Sequence, residues 1–365
     1  MHHTEFRVSH PRLVLLGPGL ANLQVLRRIA GAVDVTLVSE GRTHAYSGML
    51  PGVLAKQRAL TAASIDLVEL CARRSVKLEA SGAKKLFLDE KTVELRDGRR
   101  LPFEVLSINV GAGVRGVELP GVREHATVIK PLTSGAAQLL QVKPPVVVAG
   151  AGVAAVELAL VLQRRLSGPT TLVSSATPLP RASQAFVEAA QRELKRAGVT
   201  VMPNRRVVGA EPHVAMLDDG VRLPFATLVW ATGPRALDFL ADSGAAVDER
   251  GYLQVTRALQ STSHPSVFGA GDCVAIDGLP ELEKSGVFST RQGPTLLANI
   301  EAALLGREPA RRFEPGPNPL QLINLGDGRA LGAWRGHVFV GRAAWCLKEL
   351  IDRRWLSKYP TAASD

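Results

Sequence analysis

The chain has 365 residues, 46% hydrophobic and 21% charged, the make-up of a globular enzyme with room for about two domains. Its three cysteines, Cys71, Cys273 and Cys346, lie far apart, so neither a CxxC redox pair nor a zinc-ligand cluster can be read from them. A net charge of +10 favours anionic partners: dinucleotides, an acidic lipid surface or an acidic carrier protein. Scattered arginines, 5% aromatics and no helix-turn-helix, zinc-finger or RNP pattern argue against nucleic acid.

Met1 to His10 carries no apolar h-region, and no later stretch reaches the ~18 apolar residues of a membrane span. A cytoplasmic protein, peripheral to a membrane at most, is expected. Arg12 to Leu16 reads as an apolar strand, followed by the turn Gly17-Pro18-Gly19, a helix from Leu20 to about Ala30 and a strand Val35 to Val38, which together make a βαβ unit. The order returns as Val146 to Ala149, the turn Gly150-Ala151-Gly152, a helix through Glu157 to Arg164 and the strand Thr170 to Val173. A second echo pairs Asp97-Gly98-Arg99-Arg100-Leu101-Pro102-Phe103 with Asp219-Gly220-Val221-Arg222-Leu223-Pro224-Phe225. Each closes a small antiparallel ribbon before an apolar strand that ends at Gly111 or Gly233. The fold class is therefore α/β, with two Rossmann-type dinucleotide-binding domains. Beyond them, Gly251-Tyr252-Leu253 leads to Gly269-Ala270-Gly271-Asp272, then a helix over Gly286 to Leu305, a proline-rich connector Pro309 to Pro319 and a short α+β tail.

The chemistry resides in these turns. In Gly17-x-Gly19-x-x-Asn22 the first glycine makes the tight turn and the second admits a pyrophosphate to the helix N-terminus, while Asn22 departs from the third glycine and is expected to loosen helix–strand packing. Glu40, beside Ser39, best matches the acid that would bind a ribose hydroxyl, against a reading as a solvated loop charge. Gly150-x-Gly152-x-x-Ala155 is the cleaner fingerprint, but its second strand ends in Ser174-Ser175 without an acid, and Arg181 follows. Hydroxyls and an arginine suit a 2′-phosphate, so NADPH stands level with NADH, although Arg181 reads equally as a surface residue. At Gly271-Asp272 the acid can accept a ribitol hydroxyl, and the next helix, opening at Gly286 and Val287, can face a flavin pyrimidine. A capping role for Asp272 is the competing reading.

These residues, with Ala231-Thr232-Gly233, resemble the pyridine nucleotide-disulfide oxidoreductase superfamily over nearly the whole chain. Within it, Tyr46 to Gly52, Ser285 to Phe288, Arg291 to Pro294, Gly341-Arg342, Leu347-Lys348 and Ile351 to Arg354 look most like the type II NADH dehydrogenase branch. They are particularly similar to the flavoprotein module associated with selenide, water dikinase. The resemblance implies a discontinuous FAD domain, residues 1–115 and 251–320, with an NAD(P)H domain inserted at 116–250 and a tail at 321–365 for membrane or dimer contact. It also implies hydride transfer from nicotinamide to flavin. Disulfide reductases of the superfamily place a cysteine pair over the flavin soon after the second strand, but His44 to Pro51 holds none. Reduced flavin is thus expected to meet its acceptor directly, and in the type II dehydrogenases that acceptor is a quinone. A protein, selenium or sulfur acceptor is the alternative enzyme reading, and a flavin redox sensor without turnover the alternative outside enzymes.

By the same resemblance Glu157 lies near the nicotinamide and the flavin; a first-turn helix acid is the competing reading. Lys130 and Lys284 are candidates to stabilise anionic reduced flavin, against ordinary exposed lysines. Tyr46 and Met49 are candidates for the acceptor side, against simple packing. In the last helix, Ala343 to Leu356, the spacing puts Ala344, Leu347, Ile351 and Trp355 on one apolar face and turns Lys348, Asp352 and Arg353 away from it. That pattern suits an interfacial anchor, or a helix docked on the FAD domain or on a dimer partner.

Overall fold

The fold is described from a computed structural model, which describes residues 10–29, 31–130 and 132–362. Ala30, at the expected end of the first helix, lies outside them. Contacts divide the chain into two units, one of 1–42, 67–112 and 236–316, the other of 43–66, 113–235 and 317–365.

In the first unit five parallel strands lie in the order Val267–Gly269, Val105–Ile108, Arg12–Leu16, Asp34–Val38 and Lys77–Glu79. The glycine-turn strand is central, with Val14 opposite both Thr36 and Leu106. Leu13, Leu15, Leu37, Leu106 and Ile108 are fully buried, as expected of a strand run covered on both faces. Two helices cover it: Leu20–Arg28, and Gly286–Leu304, which carries Pro294 inside it. They pack on each other, and Gly293 is held against the Gln24 amide.

The second unit repeats the scheme, with parallel strands in the order Ala126–Val128, Thr227–Trp230, Val146–Ala149, Thr170–Ser174 and Thr200–Pro203. Its core gathers Val147, Val148, Leu160, Leu172, Val229 and Trp230. The echoed ribbons agree in detail. Gly98 and Gly220 both have φ +85°, and each N–H reaches back 3.0 Å to the residue three before it. Phe103 N–H donates to the Lys91 carbonyl as Phe225 N–H donates to that of His213, both at 2.9 Å.

Two features differ from the sequence reading. Residues 43–66, expected with the first domain, group with the second unit, because Leu50 and Leu54 enter its core. The tail, a three-stranded sheet (Gln321–Asn324, Ala330–Trp334, His337–Gly341) and the helix Arg342–Leu356, belongs to the same unit. That helix also divides the residues expected on one apolar face. Ala344 and Trp355 are buried, but so are Lys348, Glu349 and Asp352, while Leu347, Leu350 and Ile351 are exposed. Ala344 and Trp355 turn inward with the charged residues instead of staying with Leu347 and Ile351, because the spacing does not show that Lys348 and Asp352 have partners waiting for them.

Candidate dinucleotide sites and the tail cluster

In the first unit, Gly17 closes the glycine strand with φ +88°, and a Cβ there would lie 2.7 Å from the Asn109 carbonyl oxygen. Gly19 caps the first helix, its N–H donating to the same carbonyl at 3.1 Å. Asn109, which sequence reasoning missed, is buried at the end of the neighbouring strand and joins three segments. Its Oδ1 accepts from the Ala21 and Asn22 N–H groups at 3.0 and 3.2 Å, and its Nδ2 donates 2.6 Å to the Ala270 carbonyl. The helix N-terminus is thus capped from inside the protein, through the Ala21 and Asn22 N–H groups.

Asn22 does not loosen the packing. Its Nδ2 donates to the Leu16, Gly17 and Ser107 carbonyls at 3.2, 2.9 and 3.2 Å, and its Oδ1 accepts from the Ser107 hydroxyl at 2.6 Å. The amide stitches helix to strand where a third glycine would only let them approach. Its side chain is occupied within the protein. Glu40 is exposed and paired with Arg96.

Gly271, at φ +76°, carries its N–H to the Gln292 Oε1 at 2.5 Å and leads into Asp272. Beyond it lies a cavity of about 500 Å³, lined in part by Arg250, Gly271, Lys284, Ser285 and Gln292. The helix N-terminus at Gly286 and Val287 is exposed and bears no first-turn acid, and the Ser285 hydroxyl is buried with no partner among the described residues. Lys284 bonds the Val274 carbonyl and sits 4.3 Å over the Tyr252 ring. Burial lowers its pKa, with Asp272 acting in the opposite sense. Gly111, at φ +75°, has open space where a Cβ would stand.

The second turn is more open. At Gly150 a Cβ would run into the Ala231 carbonyl, whereas at Gly152 it would meet nothing within 4 Å, and Gly152, Val153 and Ala154 are exposed. The Leu179 N–H donates to the Ala151 carbonyl at 2.7 Å, which folds the loop carrying exposed Arg181 back onto the turn. The Ser174 hydroxyl is buried and donates to the Ala176 carbonyl at 2.6 Å. Gly233 abuts Arg115, whose N–H donates to its carbonyl at 2.9 Å. Lys130 is half-buried just beyond the strand Ala126–Val128.

Glu157 sits within the helix that follows the second glycine turn, Val153–Arg165, and accepts from the Asn324 N–H at 2.6 Å. Burial pushes its carboxyl up to about 7 against the opposing pull of Lys348. Lys348 donates to the Gly48 carbonyl at 2.6 Å and to Asp352 at 2.8 Å. Burial works against its charge, yet Glu157 and Asp352 hold its pKa above the usual value. Tyr46 donates to Asp352 at 3.1 Å and stacks on Trp355, ring centroids 4.5 Å apart. The i, i+4 spacing of Lys348 and Asp352 was the available sequence signal for this cluster.

Both glycine turns, the open space at Gly111 and Gly152 and the orphaned Ser285 hydroxyl fit two bound dinucleotides. Residues 11–297 match the model of the family described as pyridine nucleotide-disulphide oxidoreductase. An NADH dehydrogenase-like protein of Mycobacterium tuberculosis is 27% identical over 303 residues, 72% of this chain and 73% of the relative. The type II NADH:quinone oxidoreductase NdhA of the same organism is 24% identical over 378 residues, 91% of this chain and 79% of the relative. Among solved structures, the sulfide:quinone oxidoreductase of Aquifex aeolicus superposes with a TM-score of 0.76 at 18% identity, covering 95% of this chain and 91% of that one. NDH2 of Plasmodium falciparum in complex with NADH gives 0.76 at 13% identity, covering 96% and 99%. These structural likenesses speak for the fold alone. The chain belongs to the pyridine nucleotide-disulphide oxidoreductase family, and is an oxidoreductase with FAD and NAD(P)H as its cofactors.

Proposed function

We propose that this protein takes a hydride from NAD(P)H onto FAD and passes the electrons directly to a quinone-type acceptor, with no redox disulfide. The observation that carries this reading is the pairing of two dinucleotide turns with a cysteine-free segment 43–66. Of the three thiols, Cys71 and Cys273 are buried, and burial pushes both up to about 11, away from the reactive thiolate; Cys346 is alone and exposed.

In this reading the first unit holds FAD. The diphosphate meets the Leu20 N–H just past the Gly17–Gly19 turn, Asp272 takes a ribitol hydroxyl, and the exposed N-terminus at Gly286 and Val287, with Ser285 and Lys284, faces the pyrimidine end of the ring. Glu40, tied to Arg96, is left for the adenosine ribose. The second unit holds NAD(P)H over Gly150 and Gly152, with Ser174 and Arg181 at the adenosine end and Gly233 and Lys130 at the other. Bound flavin supplies a two-electron carrier able to hand electrons to a quinone. The protein's part is to position the rings, exclude water and hold a proton, and Glu157, neutral below about pH 7, is the group suited to hold it. Tyr46 and Met49 stand on the acceptor side. The relatives named NADH:quinone oxidoreductases support this acceptor.

No helix among the described residues is long and apolar enough to cross a membrane. The outward face of the last helix, with Leu347, Leu350, Ile351, Arg353 and Arg354 exposed, suits an anionic lipid surface, where a lipophilic quinone would be met. Two experiments test the reading. Anaerobically reduced protein mixed with a soluble quinone regains its flavin absorbance; a protein that stays bleached rules out the quinone. Sedimentation with anionic vesicles carries the protein down at low salt, and a protein left in the supernatant rules out the lipid contact.

A further inference from the structure

We infer that the C-terminal helix is a positioning element for the acceptor half-reaction, acting through the contact of Lys348 and Asp352 with the 46–58 segment. The inference rests on the reading of that segment as the acceptor side.

Four neighbouring side chains on one face of this helix meet the segment. Lys348 reaches the Gly48 carbonyl, Asp352 accepts from the Tyr46 hydroxyl, Trp355 stacks on the Tyr46 ring, and Glu349 pairs with Arg58, whose other nitrogen lies 3.3 Å from the Met49 sulfur. Gly48 is matched to this contact, since a Cβ there would lie 2.9 Å from both Asp352 Oδ1 and the Tyr46 ring. From the other side, the Gln57 Oε1 accepts from the Asn324 amide, and Asn324 also donates its N–H to Glu157. The last residues add a second tie. The Asp66 N–H donates to the Pro360 carbonyl, the Ala362 N–H to the Ser64 carbonyl, and Ile65 bridges to Thr361.

The orientation of the helix is what gives these contacts meaning. A helix serving only to cover the fold would bury Leu347, Leu350 and Ile351, which lie available on its other side, and would leave its lysine and acids in water. Here three charged residues are buried instead, an arrangement that gains little or no stability over apolar packing. What a buried ion pair with fixed partners does provide is a single geometry. Lys348 and Asp352 hold a peptide carbonyl and a tyrosine hydroxyl in place, within the stretch that carries Tyr46 and Met49.

The test uses the full-length flavoprotein and two acceptors. Menadione has to dock beside the flavin, whereas ferricyanide accepts electrons without a shaped site. The Lys348→Met/Asp352→Asn double variant removes both buried charges together, so that neither is left unpaired. Its flavin content, its bleaching by NAD(P)H and its reoxidation by ferricyanide are expected to match wild type, with reoxidation by menadione slower on the order of tenfold to hundredfold. Lys348→Arg, which keeps a cation, is expected to recover part of that rate. Menadione reoxidation at the wild-type rate overturns the inference. So does a parallel fall with both acceptors, which marks a merely structural contact. A wild-type protein that ferricyanide reoxidises and menadione does not removes the acceptor reading itself, and the inference with it.

Discussion

The two glycine turns are copies of one device set in different surroundings. At the first, Asn109 fills the inner side of the helix N-terminus, Asn22 stitches helix to strand, and Ala21 to Leu26 are buried. At the second, no side chain among the described residues caps the helix, Gly152 to Ala154 are exposed, and space is open where a Cβ would stand on Gly152. A capped, buried cradle suits a cofactor that stays. An open one suits a dinucleotide that arrives, gives up a hydride and leaves.

The sharpest way to break this comparison is to disturb the buried turn. Gly19→Ala drives a methyl into the Asn109 side chain, and because that side chain also holds Ala270, the strain reaches both the first glycine turn and the Gly271 turn. Flavin affinity is expected to fall about tenfold to hundredfold, measured by flavin released on dilution. Flavin retained at the wild-type level would show that the internal cap is dispensable. Gly152→Ala is the counterpart. No described residue lies within 4 Å of that methyl, so folding and flavin content stay unchanged while NAD(P)H binds on the order of tenfold more weakly. Equal NAD(P)H affinity in wild type and variant would remove the dinucleotide from this turn.

Glu157 gives a smaller effect with a definite sign. Burial raises its carboxyl to about 7, well above the value in an unfolded chain, so between about pH 4.5 and 7 the folded state binds the proton that the unfolded state has released. Its contribution to stability is full below the unfolded pKa and is lost as pH rises through the folded one. Glu157→Gln is expected to flatten this part of the melting-temperature profile; an unchanged slope contradicts a buried, neutral Glu157. Smallest is Arg181→Ala. Removing an exposed ionic contact worth about 0.5–1 kcal/mol weakens NADPH a few-fold and leaves NADH alone. Equal losses for both would deny Arg181 a 2′-phosphate.

How far this was legible in the sequence differs between the same regions. The strands, the two turns and the echoed ribbons follow from local pattern, because hydrophobic runs and glycine spacing act over a few residues. Asn109 was not legible. It looks like any polar residue at a strand end, and its role exists only where three distant segments meet. The C-terminal helix was misread for a related reason. Periodicity separated Leu347 and Ile351 from Lys348 and Asp352 but grouped Ala344 and Trp355 with the former; that these two turn inward with the charged residues is decided by Gly48, Tyr46 and Arg58, some 300 residues earlier. The grouping of 43–66 with the second unit was hidden likewise, since Leu50 and Leu54 carry no mark of which core they enter.

The most direct test of two unequal dinucleotide sites is a stopped-flow record of the flavin absorbance of gel-filtered protein mixed anaerobically with NADH or NADPH. The account predicts protein that stays yellow through gel filtration, as a retained cofactor requires, and bleaches with a rate that saturates in nicotinamide dinucleotide, as an exchanging one requires. A colourless protein, or a yellow one that neither dinucleotide bleaches at millimolar concentration, would contradict it.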